Sequence, residues 1–256
     1  MGYKCDLFHP VTFNEKLQWL KLNAINPDYT RLADKVKLKE FVREKLGEEY
    51  VVPTLGIWNK PEEINFDELP SNYIIKCNHG SGSLFSLLVD ETITKEEIIT
   101  KLKNGLKINY YYHAAEYPYK NIERKIIAEK ILLDESGKFP PDYKVYCFNG
   151  VPKIILVCID RFGNPKNNFY DVNWEKLDLQ RRYPNCENFK LPSKEFLNKL
   201  LETAKVLSES IPFVRVDCYL ANNNIYVGEM TFHPLAGCVE FNPPIWDTIL
   251  GGYLNL

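Results

Sequence analysis

Apolar and polar positions alternate most regularly along residues 212–232, and this pattern predicts a β-hairpin. We expect a three-residue loop, Asn222-Asn223-Asn224, because a loop of two or four residues would turn Glu229 onto the apolar face. The resulting register opposes two polar pairs on one face, Asp217 with Glu229 and Arg215 with Thr231. The other face pairs apolar residues across the strands, Val216 with Met230 and Leu220 with Tyr226. One face of this hairpin is therefore core, and the other is available for chemistry.

Helical and strand periodicities alternate along the rest of the chain. Capping patterns at Thr12, Thr94 and Ser193 predict three helix starts, and a single further helix is predicted over residues 28–46. Strands are predicted over residues 50–53, 73–77, 84–89 and 124–133, and a second hairpin over residues 142–160 around Asn149-Gly150. Because hairpins dominate and βαβ units are few, the pattern predicts an α+β fold of antiparallel sheets.

An acidic, loop-like stretch over residues 61–70 is the predicted boundary between lobes. We expect three parts: an N-terminal segment of helices and a strand over residues 1–65, a small lobe with a glycine-rich loop over residues 66–135, and a C-terminal lobe over residues 136–256. At 256 residues, the chain is long enough for one well-buried core or for two or three small lobes around a cleft.

Two features could hold ionic ligands. Opposed carboxylates at Asp217 and Glu229 repel each other, so either a divalent cation with oxygen ligands or Arg215 alone must neutralise them. The strand that ends at Lys76 and the turn His79-Gly80-Ser81-Gly82 together outline a phosphate site, although such a turn alone is more often only a turn. A strand follows this turn, whereas a Walker-type loop opens a helix.

Further charged residues interrupt apolar strands. The second hairpin is expected to place Val145, Cys147, Ile154 and Leu156 on one face, and Lys144, Tyr146 and Lys153 on the other. Arg161 shares the strand parity of the two lysines, and these cations form either an anion pocket with Arg215 or a solvated surface. The charged pair Glu129-Lys130 is unusual within an apolar strand, because charged residues are rarely buried without a partner. Alternatively, this strand lies at the edge of a lobe, with the Lys130 stem along its surface.

Bulk composition excludes several classes of protein. A net charge of −2 gives no basis for nucleic-acid binding, and no apolar run approaches membrane-spanning length. The seven cysteines form no close metal or redox pairs, so we expect a reduced, cytoplasmic protein. None of the four histidines lies near a Ser or Cys nucleophile motif, so covalent catalysis finds little support.

Seven short strings in this order resemble the teichuronopeptide-biosynthesis (TupA-like) ATP-grasp family, and the resemblance spans nearly the whole chain. The strings are Phe13-Asn14-Glu15-Lys16-Leu17-Gln18-Trp19-Leu20, Leu32-Ala33-Asp34-Lys35, Lys76-Cys77-Asn78-His79-Gly80-Ser81-Gly82, Ile126-Ile127-Ala128-Glu129-Lys130, Asp142-Tyr143-Lys144 with Cys147-Phe148-Asn149-Gly150, Arg215-Val216-Asp217-Cys218-Tyr219, and Gly228-Glu229-Met230-Thr231-Phe232. The resemblance implies an ATP-grasp fold with a nucleotide cleft between two lobes.

The resemblance also implies roles for individual residues. The ATP-binding set would comprise Lys76, His79, Gly80, Ser81 and Gly82 near the phosphates, and Glu129, Lys130, Ile131 and Leu132 near adenine. The Mg²⁺ ligands would be Asp217, Glu229 and Thr231. Arg215 would stabilise the transferring phosphoryl group, with Lys144 and Arg161 as further catalytic candidates.

The activity that the resemblance implies is ADP-forming ligation of a carboxylate to an amine. The partners would be a small-molecule or saccharide carboxylate, such as a hexuronic acid of a surface polysaccharide, and an amine or amino acid. Three alternatives stay open: a glycosyltransferase of a polysaccharide pathway, a phosphotransferase on the same fold, and a non-catalytic nucleotide-binding module. A glycosyltransferase would need a doubly wound α/β domain, for which the chain has no series of βαβ units.

Overall fold

Two antiparallel sheets organise the computed structural model, which describes residues 2–82, 84–160 and 163–256. The small sheet has the strand order β1-β4-β2-β3, and the large sheet has the order β7-β6-β5-β8-β9. The strands are β1 (Thr54–Trp58), β2 (Tyr73–Cys77), β3 (Ser86–Val89), β4 (Ile126–Glu129), β5 (Asp142–Phe148), β6 (Val151–Ile159), β7 (Lys166–Asp171), β8 (Phe213–Ala221) and β9 (Asn224–Thr231). The predicted α+β fold of antiparallel sheets is confirmed.

Seven α-helices accompany the sheets in the described part of the chain. They are α1 (Phe13–Asn23), α2 (Asp28–Ala33), α3 (Lys35–Leu46), α4 (Lys95–Lys107), α5 (Tyr111–Ala114), α6 (Lys194–Leu207) and α7 (Ile245–Tyr253). The predicted caps are confirmed, since the side chains of Thr12, Thr94 and Ser193 each accept a hydrogen bond from the first turn. Among the described residues, no helix is both long and apolar enough to cross a membrane.

The single helix predicted over residues 28–46 is wrong, because the chain breaks at Asp34. This residue has extended backbone (ψ 114°), and its carboxylate accepts a hydrogen bond from the backbone N–H of Val36. An N-terminal cap of this kind ends α2 and starts α3 in a new direction. The break matters for function, since it aims the first turn of α3 at the junction of the two sheets.

Three predicted strands have different bounds. The first lies at Thr54–Trp58 instead of residues 50–53, β3 begins at Ser86, and β4 ends at Glu129, before the expected end at residue 133. Strand β1 pairs with β4, so part of the predicted N-terminal segment belongs to the small sheet. The division into three parts stays a prediction.

The β8–β9 hairpin has the predicted polar register but a shorter loop than predicted. Asp217 pairs with Glu229 and Arg215 with Thr231, as expected. The predicted three-residue loop is wrong: only Asn222 and Asn223 form the turn, with φ of 50° and 59°. Such a two-residue turn with two left-handed residues suits the twist of a hairpin.

A β-bulge compensates for the shorter turn, so that the polar residues of β8 and β9 lie on the same face again. Cys218 pairs with Val227 and Asp217 with Glu229, so Gly228 is the extra residue. Because of this shift, Leu220 lies opposite Ile225 instead of the predicted Tyr226. A Cβ atom on Gly228 would lie 2.5 Å from the Tyr219 ring, so the bulge depends on glycine.

The β5–β6 hairpin also contains a bulge, which overturns the predicted faces. Tyr146 pairs with Ile154 and Lys144 with Leu156, so Ile154 and Leu156 share the face of Lys144. The unpaired Lys153 lies near the turn, with its ammonium 5.6 Å from the Tyr253 ring centre. It does not join Lys144.

Each sheet buries its own core. One face of the large sheet packs against α6, α2 and α3, the other packs against α1 and α7, and the small sheet packs against α4. The α1 face is aromatic around Phe13, Phe148 and Phe213, but the same face becomes charged toward Lys144 and Asp217. The charged end lies where the large sheet meets α3 and the small sheet, and it is the natural place for a polar ligand.

Candidate active site

A cross-strand row of charged residues forms the centre of the site. Lys144 on β5 pairs with Asp217 on β8, which pairs with Glu229 on β9, so all three share one face. Arg215 is bidentate to Asp217, with Nε 2.7 Å from Oδ1 and Nη2 2.8 Å from Oδ2. Arg215 Nη2 also donates to Thr231 Oγ1 at 3.1 Å, and that hydroxyl donates to Glu229 Oε1 at 2.7 Å. The predicted set of Lys144, Arg215, Asp217, Glu229 and Thr231 is therefore one connected network.

Asp142 belongs to this network, although the sequence reasoning did not select it. Its carboxylate lies 2.6 Å from the Lys144 ammonium, which also forms an ion pair with Asp217. The signal was available, because residues 142 and 144 are two apart on one strand and so point to the same face.

Burial and neighbouring charge set the protonation of the row. Burial alone would raise the pKa of Glu229, but Lys35 and Arg215 lower it to about 2. Burial alone would lower the pKa of Lys144, but Asp142 and Asp217 hold it above its ordinary value. Burial raises the pKa of Asp217, against the opposing effects of Arg215 and Lys144. Glu229 is thus a carboxylate at neutral pH.

Two lysines of α3 connect this row to the small sheet. Lys35 Nζ donates to the Gly80 carbonyl at 2.6 Å and lies 3.7 Å from Glu229 Oε2. Lys39 Nζ lies 2.7 Å from Glu129 Oε1, while Lys76 Nζ lies 2.5 Å from Glu129 Oε2. The sequence reasoning missed Lys35 and Lys39 as site residues, although their i, i+4 spacing beside buried apolar positions was a usable signal.

The glycine-rich loop joins β2 to β3, as its position between strands predicted. A Cβ atom on Gly80 would lie 2.5 Å from the Phe85 ring, and Gly82 has a φ of +83°. Both positions therefore require glycine. Ser81 is exposed, and the Gly80 carbonyl is tied to Lys35, so this loop lies over the junction of the sheets.

His79 is placed differently from the rest of its turn. It is buried, its Nε2–H donates to the Ile108 carbonyl at 3.0 Å, and its ring meets the edge of Phe85 at 5.3 Å. Burial lowers the pKa of His79 to about 4. The residue packs inside the small lobe and does not join the ion pairs.

The segment after β4 begins at the lobe junction. Glu129 is buried there, whereas Lys130 is exposed and its backbone N–H donates to the Pro53 carbonyl at 3.0 Å. Ile131 and Leu132 are half-buried. Arg161, the third predicted catalytic residue, lies outside the described residues.

The oxygen atoms of the charged row suit a divalent cation. Carboxylate and hydroxyl oxygens are the ligands that Mg²⁺ prefers, and Mg²⁺ is commonly held by one or two carboxylates plus substrate phosphates. Asp217 is enclosed by two cations, whereas the Glu229 side chain keeps 20% of its surface exposed. No cluster of three or more His, Cys, Asp or Glu suited to a metal occurs in the described ranges. The residues fit a cation held mainly through Glu229, Asp217 and oxygens from outside the chain.

Arg215 is not the only counter-charge of the opposed carboxylates in the structure. Three cations, Arg215, Lys144 and Lys35, surround Asp217 and Glu229 in the structure. Five cations and four carboxylates of the described residues form the ion pairs at this junction. The cations are Lys35, Lys39, Lys76, Lys144 and Arg215, and the carboxylates are Glu129, Asp142, Asp217 and Glu229. Glu129 and Asp217 therefore each have two cationic partners.

Comparison with known proteins finds a family model and several solved structures that match this chain. A family model described as TupA-like ATPgrasp matches residues 15–255. D-Alanine-D-alanine ligase from Helicobacter pylori is 16% identical, with 95% of this chain and 69% of that chain covered and a TM-score of 0.50. D-Alanyl-alanine synthetase A from Vibrio cholerae O1 biovar eltor is 14% identical, with 94% and 68% covered and a TM-score of 0.50. At these identities, the likeness concerns the fold.

Coverage of the matching structures is incomplete. The ATP-grasp ligase PsnB, in a structure with a precursor variant, Mg and ADP, is 12% identical with a TM-score of 0.46, and this chain covers 52% of it. The chain thus spans between 52% and 69% of the length of these three structures. The comparison with curated proteins gave no match.

Proposed function

The chain belongs to the TupA-like ATP-grasp family, and from that premise we propose that it is an ADP-forming carboxylate–amine ligase. ATP would transfer its γ-phosphoryl group to the carboxylate, which gives an acyl phosphate and ADP. The amine would then attack the acyl carbon, which gives the amide and releases phosphate. The observation that carries the proposal is that α3 connects the network of Asp217, Glu229 and Arg215 to the small lobe. Lys35 contacts the glycine-rich loop, and Lys39 shares Glu129 with Lys76.

The side chains of this network suit phosphoryl transfer. Such a reaction needs positioning and charge neutralisation more than a protein nucleophile. Glu229 and Asp217, with Thr231, would hold Mg²⁺, and Arg215 and Lys144 would neutralise the transferring group. The buried ion pairs fix these side chains before the ligand arrives, which lowers the cost of organising them.

Nucleotide binding is assigned to the small lobe. Lys76 and the loop Gly80-Ser81-Gly82 would contact the phosphates, and the segment from Glu129 to Leu132 would border adenine. Since His79 points into the small lobe, we assign it the packing of the loop and not contact with the ligand.

The substrate class and the location of the protein are also proposals. We propose a hexuronic acid of a surface polysaccharide as the carboxylate and an amino acid or small amine as its partner, on the basis of family membership. We also propose a cytoplasmic location, supported by the seven cysteines, which form no disulfide with one another in the described residues. The glycosyltransferase alternative loses support, because the sheets of the described residues are antiparallel and not doubly wound.

Thermal stability with ligands tests the nucleotide site. ATP with Mg²⁺ should raise the Tm of the wild type, because a ligand that binds only the folded state stabilises it, by about 2.7 kcal/mol at a hundredfold excess over Kd. The variant Asp217→Asn/Glu229→Gln should lose the Mg²⁺-dependent part of the shift. Glu175→Gln, a charge change at an exposed residue after β7, is the matched control and should keep it.

Product analysis separates the candidate reactions. ADP release that requires both a uronic acid and an amine supports the ligase, whereas release with the acid alone and a stable phosphorylated product supports a phosphotransferase. A shift with a uridine or guanosine nucleotide-sugar, and none with adenine nucleotides, would overturn the ligase proposal.

A further inference from the structure

Glu129 lies between two lysines that come from different parts of the chain. Its side chain is 7% exposed, with Oε2 2.5 Å from Lys76 and Oε1 2.7 Å from Lys39. Lys76 belongs to the small sheet, and Lys39 belongs to α3. A single carboxylate therefore has two cations, although one would neutralise it.

Lys39 pairs with Glu129 and with no second carboxylate in the described part of the chain. It is buried, its Nζ donates to the Val52 carbonyl at 2.5 Å, and burial lowers its pKa while Glu129 opposes that effect. Burying an ammonium is costly unless it is paired and hydrogen-bonded. Because Lys76 already neutralises Glu129, charge balance in the ligand-free protein does not explain why the Lys39 ammonium is buried there as well.

We propose that Lys39 is a positioning residue, which remains as the counter-ion of Glu129 when Lys76 turns to the nucleotide. The inference rests on the proposed function, in which Lys76 contacts a phosphate. Lys76 cannot serve both partners fully, because a phosphate draws its ammonium away from the carboxylate. Lys39 then remains as the counter-ion that keeps Glu129 charged and in place beside the adenine segment.

The exchange has an energetic consequence that separates it from a purely structural role. In the free protein without the Lys39 charge, Lys76 still neutralises Glu129, so the fold loses little. In the nucleotide complex without that charge, Glu129 would be buried and unpaired unless Lys76 returned to it. Loss of Lys39 should therefore weaken nucleotide binding more than it weakens the fold.

The test uses Lys39→Gln, which keeps a hydrogen-bond donor for the Val52 carbonyl, and Lys39→Met, which does not. Both should raise the Kd for ATP with Mg²⁺ by roughly tenfold or more, a change equal to about 1.4 kcal/mol. The Tm of the ligand-free protein should fall much less for Lys39→Gln than for Lys39→Met. Lys39→Arg, which keeps the positive charge, should retain most of the wild-type affinity for ATP with Mg²⁺.

Controls exclude a general effect of changing α3. Lys37→Met alters an exposed lysine on the same helix and should leave the Kd unchanged. In a Glu129→Gln background, the Lys39→Gln change should no longer affect the Kd, because the charge that Lys39 neutralises is absent. Calorimetric titration supplies the Kd, and circular dichroism confirms that each variant is folded.

Two results would overturn the inference about Lys39, and a third would overturn the proposed function. A folded Lys39→Gln variant whose Kd lies within twofold of the wild type overturns the inference. An equal loss of affinity from Lys39→Gln in the wild type and in the Glu129→Gln background also overturns it, since Lys39 would then act through another group. If the wild type binds no ATP, the proposed function fails first, and the inference falls with it.

Discussion

His79 lies inside the small lobe with 1% of its surface exposed, and its Nε2–H donates to the Ile108 carbonyl. Burial lowers its pKa from 6.5 to about 4, so the folded state holds the neutral ring. The unfolded chain binds this proton more readily than the folded chain does. The stabilisation from neutral His79 is therefore complete above about pH 6.5 and is lost as the pH falls toward 4.

His79→Gln should remove this part of the acid sensitivity. At 1.36 kcal/mol per pKa unit, the wild type should lose roughly 3 kcal/mol of unfolding free energy between pH 6.5 and 4 that the variant does not lose. Urea unfolding at pH 7.0, 5.5 and 4.5 measures the difference. His113→Gln, an exposed histidine change, should follow the wild-type pH dependence. Parallel curves for the wild type and His79→Gln would contradict the assignment.

At the scale of single elements, local chemistry fixes where α1 begins. The Thr12 side chain accepts from the Glu15 N–H, and the Glu15 carboxylate accepts N–H groups from Asp6, Val11 and Thr12 at 3.0 Å each. This capping box is joined to the segment before it, so Glu15 organises more than a helix end.

Replacing Glu15 by Ala should therefore destabilise the protein more than a normal cap loss. Three N–H groups lose a charged acceptor, so we expect a loss of about 1–3 kcal/mol of unfolding free energy. Chemical denaturation at neutral pH provides the measurement. Glu195→Ala, an exposed acid in the first turn of α6, should cost well under that amount. Equal costs for the two variants would show that the hydrogen bonds to Glu15 contribute little.

The bulge at Gly228 sets the alignment of β9 with β8. Gly228→Ala would bring a methyl group to 2.5 Å from the Tyr219 ring, so either the ring or the strand must move. We expect a lower Tm and a weaker Mg²⁺-dependent shift with ATP, because Glu229 is the next residue.

Gly252→Ala is the matched control, since a Cβ atom at that α7 position meets nothing within 4 Å. It should stabilise the protein by about 0.5–1 kcal/mol, as alanine does in place of glycine within a helix. Thermal unfolding with and without ATP and Mg²⁺ compares the two variants. A Gly228→Ala protein with wild-type Tm and ligand shift would show that the bulge tolerates a side chain.

At the scale of the whole molecule, α3 joins the two sheets through charge. Lys35 reaches the Gly80 carbonyl of the small lobe and the Glu229 carboxylate of the large sheet. Buried polar contacts of this kind fix the relative position of two packed units when each group is satisfied. Lys35 is thus expected to control the order of the glycine-rich loop.

Lys35→Met should loosen the loop without loosening the sheet cores. Amide hydrogen exchange in residues 78–82 and 84–86 should rise by about tenfold or more, whereas exchange in β5 and β8 should change little, because local openings differ in free energy across a structure. Lys37→Met serves as the control on the same helix. Uniform acceleration over the whole chain would indicate global destabilisation and not a local connection.

Sequence alone determined those features that depend on neighbours along the chain. Strand alternation placed Arg215, Asp217, Glu229 and Thr231 on one face, since one side of the hairpin had to be apolar. Helix starts at Thr12, Thr94 and Ser193 followed from short capping patterns. A two-residue turn with a bulge gives the same polar register as a three-residue loop, so the pattern could not distinguish them.

Only the tertiary structure decided which distant charges meet. Lys35 reaches Glu229 and Lys39 reaches Glu129 because α3 turns at Asp34 and packs between the sheets. Those partners are separated by 194 and 90 residues of chain. Periodicity describes one element at a time, whereas contacts between elements depend on the packing of all of them. The charged row could be predicted, whereas the carboxylates that Lys35 and Lys39 contact could not.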